Sequence, residues 1–134
     1  MKRLVVLPLV LACGVVAAET PQQLIDTYAG QAGAQAAGFR PAAQRGGEFF
    51  ARKFGVSEKM PACIACHTEN PAQAGHHAVT GKEIKPLAPV ANADRFSDAA
   101  KVEKWFRRNC KEVVGRECTP AEKADVIQYL AGVR

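Results

Sequence analysis

The 134-residue sequence has no internal repeat, no low-complexity tract and, after its first residues, no long apolar run. These absences exclude a solenoid, a disordered tail and a membrane-spanning mature chain. A strong charge of one sign is missing too. Eighteen Lys and Arg stand against thirteen Asp and Glu, a formal +5 that falls to +3 if Lys2 and Arg3 are removed with a leader. So mild a balance argues against nucleic acid as a partner. Methionine is almost absent, with Met1 and Met60 its two occurrences, and this matters below.

The one apolar stretch, Leu4 to Val16, follows Met1-Lys2-Arg3 and precedes the small residues Val16-Ala17-Ala18. Charged start, short apolar middle and small-residue end form a secretory signal over residues 1–18, cleaved after Ala18. The expectation is a periplasmic protein with a single domain at 19–134, not anchored in the membrane. Cys13 lies in Val10-Leu11-Ala12-Cys13-Gly14, a faint lipoprotein box with a bulky Leu11 where a small residue is preferred.

Of five cysteines, four remain after Cys13 leaves with the signal. Cys63-Ile64-Ala65-Cys66-His67 forms C-x-x-C-H, the attachment signature of c-type haem. The two thiols add to the vinyl groups of one porphyrin, and His67 presents its imidazole to the iron. A disulfide redox pair and a zinc half-site share C-x-x-C. A zinc site wants a second ligand pair, and Cys110 and Cys118 have no neighbouring His. The cofactor expected is therefore one covalent haem c, whose propionates offset about two more positive charges. Cys110 and Cys118 remain in an oxidising compartment, and a disulfide is expected, worth roughly 2–3 kcal/mol in the chain-entropy model. Arg107, Arg108 and Lys111 form a local basic cluster suited to steering an acidic redox partner.

Helices are expected near 20–30, 42–54, 98–109 and 120–132. Thr20-Pro21 and Thr119-Pro120-Ala121-Glu122 start the first and last. Ala- and Gly-rich residues 29–38 suggest a linker. Gly46, one turn before Phe50, is either tolerated or a crossing point for another helix. Residues 68–97, with Asn70, Pro71, Gly75, Gly81, Pro86 and Pro89, suggest an irregular wrap along a haem edge. Ala99, Val102, Trp105, Phe106 and Asn109 share one side of the third helix. Trp105 and Phe106 are expected to keep a pocket apolar. Cys110–Cys118 is expected as a loop. The fold class is all-α.

Function turns on the iron's sixth ligand. Met60 lies three residues before Cys63, on the attachment segment, and does not easily reach the far face. His76 and His77 lie far enough along the wrap to pass a haem edge, or are exposed loop histidines. Asn109 sits on an apolar helix side, where its amide needs a partner. It is either a helix C-cap or a ligand. On the residues alone these alternatives stay open.

Several stretches together resemble a known family. They are Thr80-Gly81-Lys82-Glu83-Ile84-Lys85-Pro86-Leu87-Ala88-Pro89, Asp94-Arg95-Phe96, Val102-Glu103-Lys104-Trp105, Arg108-Asn109-Cys110, Gly115-Arg116-Glu117-Cys118-Thr119-Pro120 and Glu122-Lys123-Ala124-Asp125. With Cys63–His67 they resemble the sphaeroides haem protein (SHP) family, the oxygen-binding, class I-like cytochromes c, over about residues 20–132. The resemblance implies a cytochrome c fold with an extra N-terminal helix and a disulfide-closed loop near the C-terminus. It implies that Asn109 is a distal ligand in the oxidised state that leaves on reduction, whereupon oxygen or nitric oxide binds. It implies a dihaem cytochrome c and a membrane cytochrome b as redox partners, with oxidation of nitric oxide as a proposed activity. Asn70–His77 matches none of these blocks. The competing expectation is thus a plain electron carrier with His76 or His77 as permanent sixth ligand.

Overall fold

The computed structural model describes residues 18–134. The expected signal, apart from Ala18, and Cys13 lie outside the described residues. Helix α1 spans Pro21–Gln35, α2 Ala43–Ala51, α3 Ile64–His67, α4 Ala99–Asn109 and α5 Pro120–Ala131. A minimal antiparallel hairpin of β1 (Gly75–His76) and β2 (Glu83–Ile84) pairs Gly75 with Ile84 and His76 with Glu83.

Both expected helix starts are present as capping boxes. The Thr20 hydroxyl accepts from the N–H of Gln23, whose side chain returns to the cap; Thr119 and Glu122 do the same for α5. Pro at the first helical position sacrifices only an N–H that has no intrahelical partner. Helix α1 runs to Gln35 instead of ending near residue 30. Ala29, Ala32 and Ala34 favour helix, and Ala32 is buried one turn after Tyr28, so Gly30 and Gly33 do not break it. Helix α2 stops at Ala51, short of the expected 54. There the N–H of Phe54 turns to the carbonyl of Pro61 instead.

Helix α5 is the centre of the core, lying against α1 and α2. Its Ala124 and Ile127 are fully buried, and Leu24, Ile25 and Tyr28 of α1 and Phe49 and Phe50 of α2 close around it. A Cβ on Gly46 would collide with the backbone carbonyl of Asp125, so Gly46 is the crossing point of α2 and α5. The buried Asp125 carboxylate accepts from Arg45 at 2.8 and 2.9 Å and from the N–H of Ala42 at 2.6 Å. It thereby satisfies an orphan donor at the start of α2 and pairs its own charge.

Cys110 and Cys118 are joined, with Cα atoms 5.6 Å apart. The segment expected as a loop opens instead with a π-helical turn over Cys110–Val114, closed by Gly115 N–H on the carbonyl of Cys110. Gly115 ends it at φ +79°, a conformation that glycine adopts without strain.

Candidate functional site

Helix α3 is barely one turn long and carries the whole C-x-x-C-H motif. Cys63 stands at its N-cap, and Thr68 ends it at φ 63°. A β-branched residue in the left-handed region costs on the order of 1–3 kcal/mol. The Thr68 hydroxyl donates to the carbonyl of Asn70 at 2.8 Å, which helps to hold it there. The hairpin lies directly on this turn. A Cβ on Gly75 would meet the carbonyl of Cys66, and the N–H of Ala78 donates to the Cys66 sulfur at 3.2 Å.

Cys63 and Cys66 are free thiols, which leaves them available for thioether formation. Burial pushes the Cys63 thiol up to about 11. His67 is lowered to about 4, by burial first and then by the charges of Arg95 and His77. It is therefore neutral at pH 7, as a metal ligand must be. Its Nδ1 is buried without a hydrogen-bond partner, which is costly for an imidazole with no other function. Phe50 packs beside it, ring centroids 6.0 Å apart. Among the described residues, no three His, Cys, Asp or Glu side chains gather to hold a bare metal ion. Two free thiols beside a neutral imidazole fit a covalently attached haem.

Arg95 is a contributor to this site that the sequence reading did not single out. Half-buried, it donates to the carbonyls of Pro86 and Lys85 at 2.7 Å each. It fastens the wrap and brings a positive charge towards His67. Burial lowers its pKa. The only sequence signal was its place in Asp94-Arg95-Phe96.

Met60 remains on the loop entering α3, its N–H donating to the Ser57 hydroxyl at 3.2 Å. His76 is exposed on β1. His77 is half-buried, and its Nδ1 accepts from the N–H groups of Val79 and Thr80 at 3.2 and 3.3 Å. With Nδ1 accepting, a neutral His77 carries its proton on Nε2.

Asn109 closes α4, half-buried. The C-cap alternative does not hold: Cys110 stays helical, its N–H returning to Arg107 and Phe106, and the Asn109 side chain makes no cap hydrogen bond. Val102 and Phe106 of α4 and Cys63 and Ile64 of the attachment segment pack against the same core cluster. Trp105 is 41% exposed, with the Arg108 guanidinium 5.7 Å and the Lys104 amine 5.9 Å from its ring. The basic cluster is partly neutralised, with Arg108 on Glu112 at 3.0 Å and Lys111 on Glu117 at 3.4 Å.

Residues 36–130 match a family model described as a domain of unknown function (DUF1924). The cytochrome c-type protein SHP of Cereibacter sphaeroides is 47% identical over 98% of both chains. A structure of oxidised SHP, described as an oxygen-binding cytochrome c, superposes with TM-score 0.76 at 46% identity, covering 84% of this chain and 96% of that one. A solution structure of Methylophilus methylotrophus cytochrome c'', described as giving insight into haem-ligand detachment, superposes with TM-score 0.74 at 42% identity over 84% of this chain and 92% of that one.

Proposed function

The chain belongs to the SHP family of c-type cytochromes, and from that premise we propose that it is an exported haem protein whose Asn109 yields its place to a diatomic gas on reduction. Its fold is the class I-like cytochrome c fold with α1 as an additional N-terminal helix and a disulfide-closed segment. Its cofactor is one haem c.

Once attached, haem would supply an iron able to exchange one electron and to bind ligands donated by this chain. In our reading Cys63 and Cys66 provide the thioether sulfurs, His67 the proximal nitrogen and Asn109 the labile distal donor. A neutral amide is a weak ligand that suits a hard ferric ion better than a ferrous one. The observation that carries the reading is the half-buried Asn109 amide, which caps nothing at the end of α4, directly before a cross-linked cysteine. The hydrogen bonding of His77 supports it further, because with Nδ1 accepting from its own hairpin a neutral ring carries its proton on Nε2, the nitrogen that would otherwise be left to ligate.

The same reading places the mature protein, residues 19–134 as one domain, in the periplasm. There it takes electrons from a dihaem cytochrome c served by a membrane cytochrome b, and oxidation of nitric oxide is its proposed activity. Support for gas binding comes from the description of SHP as oxygen-binding.

Reduction followed by carbon monoxide titration tests this. A high-spin ferrous spectrum that shifts with the gas is expected. A sharp low-spin spectrum indifferent to it would leave a plain electron carrier ligated by His76 or His77. Asn109→Ala is expected to change the ferric spectrum and spare ferrous gas binding; an unchanged ferric spectrum refutes the role given to Asn109.

A further inference from the structure

Helix α4, which carries Asn109, packs Ala99, Val102 and Phe106 against the core cluster. At its start, the N–H of Glu19 donates to the carbonyl of Ser97 at 3.1 Å. At its end stands the Cys110–Cys118 bridge. Between these points three side chains from three helices meet. The Tyr28 hydroxyl of α1 donates to Glu103 Oε2 of α4 at 2.8 Å, and the Lys123 amine of α5 donates to both Glu103 oxygens at 2.8 Å. That amine lies 5.3 Å from the Tyr28 ring centroid and 6.0 Å from that of Phe106, and the two rings meet edge-to-face at 6.1 Å.

Two of the three groups in this clasp are largely buried, while the Glu103 side chain is 38% exposed. Tyr28 is 6% exposed and the Lys123 side chain 12%. Burial alone would raise the Glu103 carboxyl, but the hydrogen bonds from Lys123 and Tyr28 outweigh it and hold it below its usual range. At roughly 100° per residue, Glu103 and Asn109 lie about 120° apart around the α4 axis, and Phe106 is a turn before Asn109. Holding Glu103 therefore fixes which way the Asn109 side chain faces.

We propose that Tyr28, Glu103 and Lys123 are positioning residues for Asn109, setting the tilt and rotation of α4 and hence how firmly that amide is presented to the cofactor. The inference rests on the reading of Asn109 as labile ligand. Loosening the clasp raises the fraction of time that Asn109 is withdrawn, so an added ligand enters the ferric protein faster.

The test uses the haem-loaded protein with imidazole as probe. Tyr28→Phe, which keeps the ring packing, and Lys123→Met are each expected to raise the imidazole association rate about tenfold, as for loss of one hydrogen bond to a charged group. Faster amide hydrogen exchange along α4 is expected alongside. Asp125→Asn, which loosens α2 from α5, should lower the melting temperature and leave the imidazole rate unchanged. Clasp variants that melt lower yet bind imidazole at the wild-type rate overturn the proposal, since a merely structural role predicts that. If Asn109→Ala itself binds imidazole at the wild-type rate, the ligand reading fails first, and the clasp's positioning role fails with it.

Discussion

The same substitution, Gly→Ala, is expected to act with opposite sign at Gly46 and at Gly33. In both helices alanine gains about 1 kcal/mol of intrinsic helix propensity. At Gly33 the added methyl meets nothing within 4 Å, so Gly33→Ala should stabilise by about 0.5–1 kcal/mol. At Gly46 it meets the Asp125 carbonyl and, at 3.0 Å, the Tyr129 Cβ. Neither is the flexible end of a side chain, so α2 and α5 must part. Overpacking of this kind costs about 1–3 kcal/mol, occasionally more, and a backbone obstacle belongs at the upper end. The net loss is about 2 kcal/mol, a fall in Tm of roughly 8 °C for a domain of this size. Phe50, one turn on, lies 5.8 Å from the Tyr129 ring and 6.0 Å from His67, so the displacement should also perturb the haem absorption bands. Guanidinium denaturation of the haem-loaded variants, followed by circular dichroism, measures both signs. A Gly46→Ala protein as stable as wild type would refute the close-crossing argument.

Asp125→Asn removes the charge that Arg45 pairs with and weakens an acceptor for Ala42. Because Arg45 is half-exposed, a loss of about 1–2 kcal/mol is expected, below the range for fully buried pairs; urea denaturation reads it. Burial alone would raise Glu122, but Arg116 and the Thr119 N–H outweigh it and hold its carboxyl low. The stability it contributes is therefore complete above the unfolded carboxyl value of about 4.3 and lost as pH falls through the folded one. Glu122→Gln should flatten the decline in the urea midpoint below about pH 4.5; an equally steep decline contradicts the assignment. The double substitution Cys110→Ser with Cys118→Ser should cost about 2–3 kcal/mol at equilibrium.

The starts of α1 and α5 were legible because proline and a capping residue act locally. The Cys110–Cys118 pairing was legible from the cysteines left over. The π-helical turn was not, because Lys111, Glu112 and Val113 carry no local preference for it and the cross-link closes around it. The end of α1 was misjudged because Gly30 and Gly33 suggest a break that the burial of Ala32 overrides. Trp105 has helical spacing with Asn109, but the two cations beside its ring, Lys104 and Arg108, were not legible from that spacing. The clasp joins positions 28, 103 and 123, whose meeting depends on the packing of three helices.

The cross-link and the clasp restrain α4 in different ways. The sulfur bridge pins the end of the helix beside Asn109 to the cap of α5, fixing a point but not a direction. The polar trio a turn and a half earlier supplies the direction. Chemical reduction of the bridge should thus release the end of α4 while its orientation is still held, whereas neutralising the trio should release the orientation while the end stays pinned.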